Sequence, residues 1–134
     1  MSNKTLMIIK PDAARRQDFG YILERVKRAG FKIRALQVKQ LSEDEAKRFY
    51  AVHAERPFYK DLVRFMTSGP CAPAWLEREN AVAAFRELIG ATDPAKAAIG
   101  TIRRDIAESL EANSVHGSDS DENAAQEIAF FFGK

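Results

Sequence analysis

A short apolar run near the start of the chain constrains its fold more than any other stretch. Residues 5–9 read Thr-Leu-Met-Ile-Ile, which are apolar and partly β-branched, as is typical of a strand inside a sheet. Pro11 ends this strand, because proline cannot donate to a strand ladder and restricts Lys10 before it to extended backbone. The sequence therefore predicts a central strand with Lys10 at its carboxyl end.

The rest of the chain alternates between helical and extended patterns. Apolar residues recur at helical spacing in six segments, residues 20–30, 42–53, 58–67, 81–89, 100–107 and 121–132. Extended patterns occupy residues 31–41, where a change of parity indicates a bulge, and residues 71–76, with room for a short strand within 111–118. This order predicts a βαββαβ sandwich, an α+β fold in which helices cover one face of a four-stranded sheet and a helical hairpin is inserted.

Composition narrows the class of protein. At 134 residues, with 46% apolar and 30% charged residues, the chain is expected to form one globular domain over residues 1–134. Its longest apolar runs are too short to span a bilayer, and its net charge of +2 is spread along the chain, so neither a membrane nor nucleic acid is expected as a partner. The single cysteine, Cys71, cannot form an internal disulfide, which favours a reducing, cytoplasmic location.

Residues 113–120, Asn-Ser-Val-His-Gly-Ser-Asp-Ser, carry the strongest chemical signal. Gly117 is expected to let the backbone turn beside His116, and Asp119 has capping-box spacing to Glu122 at the start of the last helix. Such a helix N-terminus suits an anion. A histidine can also be purely structural, but Glu127, eleven residues on, could bond one ring nitrogen and leave the other free to attack.

Other residues near turns could bind a charged, planar ligand. Arg86 and Arg103, with Lys10 and Thr92, could neutralise a polyphosphate, since guanidinium groups match phosphate oxygens in pairs. Phe58, after Pro57, could stack on a planar base. Each alone is more often a solvated charge or a core residue. The sequence lacks the common glycine-rich phosphate loops, zinc-ligand spacing and a serine-hydrolase elbow.

Together these motifs closely resemble those of nucleoside diphosphate kinases. The matching segments are residues 9–12, 53–58, 65–70, 79–81, 90–94, 100–103 and 113–120, which span essentially the whole chain. The resemblance implies a ferredoxin-like βαββαβ fold with a four-stranded antiparallel sheet. Arg78 departs from the pattern, because the family often has glycine there.

The resemblance also implies a role for each matching residue. His116 would be the nucleophile through Nδ1, with Glu127 orienting the ring through Nε2 and Ser118 in the same network. The further site residues that it implies are Arg86, Thr92 and Arg103 at the phosphates, Lys10 and Asn113 at the ribose, Phe58 on the base with Leu62 beside it, and Tyr50 beside the histidine.

The implied reaction is ping-pong transfer of the γ-phosphate of a nucleoside triphosphate, usually ATP, to a nucleoside diphosphate. Mg²⁺ would arrive on the nucleotide, with no metal ligands in the protein, and the enzyme would be a homo-oligomer, either a dimer, a tetramer or a hexamer. Two alternatives remain at this level. One is a catalytically idle nucleotide-binding or regulatory module of the same fold, and the other is a histidine phosphotransfer protein of a signalling relay.

Overall fold

Strand β1 (Lys4–Ile9) is an inner strand of the sheet, as its apolar sequence predicts. The computed structural model describes residues 3–107 and 114–133. After β1 the described elements are α1 (Pro11–Arg15), α2 (Phe19–Arg28), β2 (Lys32–Leu36), α3 (Glu43–Phe49), α4 (Tyr59–Met66), β3 (Ala72–Glu77), α5 (Ala81–Ile89), α6 (Ile102–Ile106), β4 (Val115–Gly117) and α7 (Asp121–Phe132). Two 3₁₀ turns, Ala51–His53 and Pro94–Lys96, lie in the connections.

The four strands form an antiparallel sheet in the order β2-β3-β1-β4. The register places His116 opposite Ile8 and Val115 opposite Ile9, so the predicted histidine lies on an edge strand beside the central one. The predicted four-stranded α+β sandwich with an inserted helical hairpin, α3 and α4, is confirmed.

Both faces of the sheet are covered, which corrects the prediction that helices cover one face. Met7 and Ile9 belong to a core with residues of α2 and α5, including Val26 and Phe85. Leu6 and Ile8 point the other way, into a core with residues of α3, α4 and α7. Since successive side chains of a strand alternate between faces, the unbroken apolar run of β1 needs both layers.

Strand β2 covers Lys32–Leu36, which is shorter than the predicted extended segment 31–41, but it has the predicted bulge. Its register against β3 shifts between Ile33 and Ala35, and only an isolated bridge from Lys39 to Cys71 continues the pairing beyond it. The shift corresponds to the change of parity in the sequence.

The N-termini of α3, α5 and α7 differ in how their backbone N–H groups are capped. Ser42 and Glu45 form a capping box at the start of α3, in which each side chain accepts from the other residue's backbone N–H. The capping box from Asp119 to Glu122 is wrong, because Ser120 caps α7 by accepting from the N–H of Asn123 at 3.1 Å. Asn80 precedes α5, but its side chain makes no cap bond.

Helix α1 was not predicted. Pro11 ends β1 and also starts α1, since proline fits the first position of a helix, where no N–H is needed. Arg78, the residue that departs from the family pattern, packs over the Phe31 ring at 5.3 Å and donates to the Ala29 carbonyl at 2.7 Å. No helix within the described residues is long and apolar enough to cross a membrane.

Candidate active site

A carboxylate orients the ring of His116. Its Nε2 lies 2.9 Å from Oε1 of Glu127, and the Ser118 hydroxyl donates to the same Oε1 at 2.7 Å. Both His116 and Glu127 keep about a fifth of their side chains exposed, at 20% and 19%. Among the described residues nothing hydrogen-bonds Nδ1. The pairing therefore favours the tautomer with the proton on Nε2 and leaves the Nδ1 lone pair available.

Ser118 joins this pair to the central strand. Its Oγ, fully buried, accepts from the backbone N–H of Leu6 at 3.1 Å while donating to Glu127. One hydroxyl thus fixes the end of β4 against β1 and the position of α7 relative to the histidine.

One phenylalanine, Phe49, packs against the histidine, and Phe130 and Phe131 pack against Phe49; we call these three residues the aromatic wall. The Phe49 ring meets that of His116 edge-on at 5.6 Å, and it contacts Phe130 and Phe131 at 5.4 and 5.2 Å. Phe49 follows the helical spacing of α3, but nothing in that spacing distinguishes a core phenylalanine from one beside the histidine.

Tyr50, predicted to lie beside the histidine, reaches it through Phe49, whose ring it contacts at 4.9 Å. Its hydroxyl is buried and has no hydrogen-bond partner among the described residues. Burial, and secondarily the nearby Cys71 and Glu127, raise the pKa of Tyr50, so the phenol is neutral at physiological pH.

Three of the predicted residues, Arg86, Thr92 and Arg103, line one cavity of about 320 Å³ beside Gly90 and Thr101. Arg103 is 8% exposed, and burial, aided by the like charge of Arg86, lowers its pKa to about 10. It therefore remains charged at neutral pH. Within residues 3–107 and 114–133 neither arginine forms an ion pair with a carboxylate, so this cavity, the Arg86–Arg103 cavity, favours an anion.

Arg103 connects the cavity to the histidine strand. Its Nη1 donates to the Gly90 carbonyl at 3.0 Å and its Nη2 to the Val115 carbonyl at 2.8 Å, one residue before His116. Gly90 has a φ of +89°, and a Cβ there would lie 2.5 Å from the Thr101 hydroxyl oxygen. The loop can therefore close over Arg103 only with glycine at this position.

Gly117 allows close packing of a helix on β4, whereas a turn was predicted there. It lies within β4 and not in a turn, so the prediction of a tight turn beside His116 is wrong. A Cβ at Gly117 would lie 2.7 and 2.9 Å from two ring carbons of Phe85 and 3.1 Å from Ile89. The residue is glycine because α5 packs directly onto the histidine strand.

Gly117→Ala should therefore lower the free energy of unfolding by about 1–3 kcal/mol, because the buried Phe85 ring has to move. Gly20→Ala is the matched control, since a Cβ there meets nothing within 4 Å and we expect no loss of stability. Urea denaturation of both variants measures the difference. Equal midpoints for the two would contradict the packing argument.

The remaining predicted residues lie in two places. Lys10 is 8% exposed at the end of β1, and its N–H donates to the Ser114 carbonyl at 2.9 Å, which places it next to β4. Phe58 is 49% exposed at the start of α4, its ring 5.5 Å from that of His53, and Leu62 follows one turn later. No hydrogen bond or ring contact joins Phe58 to His116. Asn113 lies outside the described residues.

No metal-ligand cluster exists in the described part of the chain, where no group of three or more His, Cys, Asp or Glu side chains could hold a metal ion.

The fold is an α+β sandwich with a histidine on an edge strand, and a carboxylate orients that histidine. Arg103 links this strand to a basic cavity. These features together define the class of protein. A family model described as nucleoside diphosphate kinase matches residues 3–134, and the chain belongs to that family. It is 59% identical to the nucleoside diphosphate kinase of Chlorobaculum parvum and 58% identical to that of Bordetella avium, each over 96% of this chain and 92% of the relative.

Solved structures agree with this assignment. The nucleoside diphosphate kinase of Aquifex aeolicus superposes with a TM-score of 0.95 at 43% identity, covering 98% of this chain and 96% of that one. The enzyme of Halobacterium salinarum, solved in complex with CDP, has a TM-score of 0.95 at 37% identity, covering 100% of this chain and 90% of that one.

Proposed function

We propose that this chain is an active nucleoside diphosphate kinase that passes a phosphate between nucleotides through His116. The observation that carries the proposal is the contact between Nε2 of His116 and Glu127, which leaves Nδ1 without a hydrogen-bond partner among the described residues. Arg103, which lines the basic cavity, bonds the residue before His116 and so links the cavity to the histidine strand. The membership of the chain in the nucleoside diphosphate kinase family supports the same reaction.

The transfer takes place in two steps. In the first, the Nδ1 lone pair forms a bond to the γ-phosphorus, the bond from that phosphorus to the β–γ bridging oxygen breaks, and the nucleoside diphosphate leaves with that electron pair. Glu127 stabilises the positive charge on the ring through Nε2–H. In the second step a terminal phosphate oxygen of the acceptor diphosphate attacks the phosphorus, and the neutral imidazole is released. No proton has to enter or leave in either step.

The protein contributes chiefly positioning and charge neutralisation, which is what phosphoryl transfer requires. Arg86, Thr92 and Arg103 would hold the phosphates in their cavity. Lys10 and Asn113 would bind the ribose region.

Three further side chains, those of Phe58, Leu62 and Tyr50, complete the proposed site. The half-exposed Phe58, backed by Leu62, would stack on the base, and stacking reads a π-face that every base has, so it selects weakly among bases. Tyr50 would support the aromatic wall beside the histidine and confine its ring.

Three further features belong to the proposal. Mg²⁺ would enter on the nucleotide and reduce the charge of its phosphates. The enzyme would be cytoplasmic, in keeping with its one buried thiol. It would also be a homo-oligomer, a dimer, tetramer or hexamer.

Labelling the protein tests the reaction directly. Incubation with γ-³²P-ATP and Mg²⁺ alone should place an alkali-stable, acid-labile label on His116, and unlabelled GDP should then remove it as labelled GTP. Protein that binds ATP without becoming labelled would instead indicate the idle nucleotide-binding module. Label that moves to another protein but not to GDP would indicate a signalling relay.

A further inference from the structure

The backbone at Ser114, two residues before His116, is strained. Ser114 is fully buried and has a φ of 74°, in the left-handed region that glycine and asparagine adopt most readily. Gln17 and Asn80 are the other non-glycine residues with positive φ within the described ranges 3–107 and 114–133. A strained conformation persists only where its surroundings fix it, and such sites cluster near reacting groups.

Two charged side chains fix this serine. The Ser114 hydroxyl donates to Oδ2 of Asp12 at 3.3 Å and accepts from Nη2 of Arg16 at 3.0 Å. The same Arg16 nitrogen lies 3.9 Å from Oδ2 of Asp12, and its Nε bonds Asp18 at 2.9 Å. Asp12 is only 2% exposed. We call Asp12, Arg16 and Ser114 the Ser114 network.

The Ser114 network lies between two residues of the proposed site. The Ser114 carbonyl accepts from the N–H of Lys10 at 2.9 Å, and the next residues of β4 pair with β1, Val115 with Ile9 and His116 with Ile8. Asp12 and Arg16 belong to the first turn and the C-cap of α1, which begins directly after Lys10. The network therefore fixes the segment that carries Lys10 and the start of the strand that carries His116 to one another.

We propose that the Ser114 network positions His116 relative to Lys10 and so sets the distance from Nδ1 to the phosphate of a bound nucleotide. Asp12, Arg16 and Ser114 are positioning residues in this proposal, which rests on the phosphotransfer function proposed above. Misplacing a reacting atom by about 1 Å costs on the order of 100-fold in rate, whereas binding of the nucleotide through other groups changes little. Loss of the network should therefore slow the chemical step and leave affinity nearly unchanged.

Single-turnover measurements separate these two effects. Arg16→Ala, Ser114→Ala and the double variant would each be mixed with saturating Mg·ATP, and phosphohistidine followed by rapid quench, with the Kd for ADP measured by calorimetry. Each single variant should form phosphohistidine about tenfold more slowly, and the double variant no more slowly than the slower single one, because the residues act as a unit. The Kd should stay within about twofold of the wild-type value, as expected for a positioning role.

Arg15→Ala is the matched control. It removes the same charge from the adjacent residue, but Arg15 donates to the hydroxyl of Ser68 at 3.2 Å and not to Ser114. Its rate should equal that of the wild type. A slowing as large as that of Arg16→Ala would mean that overall charge, and not the network, is responsible.

Ser114→Gly distinguishes positioning from stability. Glycine adopts a φ of 74° without strain, and this offsets part of the stability that is lost with the hydroxyl contacts. The melting temperature of Ser114→Gly should therefore be higher than that of Ser114→Ala, yet its rate should fall as much, because both variants lack the hydroxyl. Wild-type rates in Ser114→Gly and Arg16→Ala, or effects that multiply in the double variant, would overturn the proposal. A wild-type protein that forms no phosphohistidine in this assay would instead overturn the proposed function.

Discussion

His116→Ala should abolish phosphate transfer, lowering turnover of ATP and GDP by at least about 10⁴-fold, because it removes the only atom proposed to bond the phosphorus. The fold should persist. The His116 side chain is 20% exposed, and Glu127 keeps its bond to the Ser118 hydroxyl at 2.7 Å. GTP formation measured by chromatography, alongside the melting temperature and the Kd for ADP, would report activity, stability and binding separately.

His53→Ala is the control for this experiment, since His53 is the other of the two histidines and lies in the 3₁₀ turn Ala51–His53. It should still accept label from γ-³²P-ATP at His116. Turnover close to the wild-type rate in a folded His116→Ala protein would contradict the mechanism, as would loss of labelling in His53→Ala alone.

The sequence predicted the fold well where a long pattern was available. The unbroken apolar run of β1 predicted the central strand, and it also implied two covered faces, because Leu6 and Met7 point in opposite directions. The one-face prediction failed because helical periodicity shows which side of a helix is apolar but not which side of the sheet that helix packs on. Helix α1, with five residues, is too short to show a period.

In the candidate site, the sequence could indicate hydrogen bonds between residues that are near each other in the chain, but not contacts between distant ones. His116, Glu127 and Ser118 lie within twelve residues, so a local pattern could indicate their hydrogen bonds. The contact of Ser114 with Asp12 joins residues 102 positions apart. Such contacts depend on the pairing of β1 with β4, which no local spacing encodes.

The clash that makes Gly117 necessary is also a contact between residues that are distant in the chain. It arises because Phe85, on a separate helix, packs against β4, so the reason for the glycine could only be seen once α5 was in place. A local pattern offers the nearest explanation, a turn, and that explanation was wrong.

Arg103→Ala should have the second largest effect, because it damages both the reaction and the fold. Loss of a preorganised cation next to the transferring phosphate should lower kcat/KM by on the order of 100-fold or more. The Gly90 and Val115 carbonyls, which now accept at 3.0 and 2.8 Å, would lose their donor, and we expect a loss of about 1–3 kcal/mol in the free energy of unfolding. Removing Arg103 also ends the burial of its charge and its repulsion by Arg86, the two causes that lower its pKa, and this offsets part of that loss.

Arg86→Ala is the matched comparison. Arg86 lines the same cavity, but it is exposed and its side chain makes no hydrogen bond to a described residue. Its removal should lower kcat/KM by a similar order while leaving the free energy of unfolding within about 0.5 kcal/mol of the wild type. Steady-state kinetics and urea denaturation of both variants test this. Equal loss of stability in the two would mean that the carbonyl contacts of Arg103 do not hold the loop, and full activity in either would remove that arginine from the phosphate site.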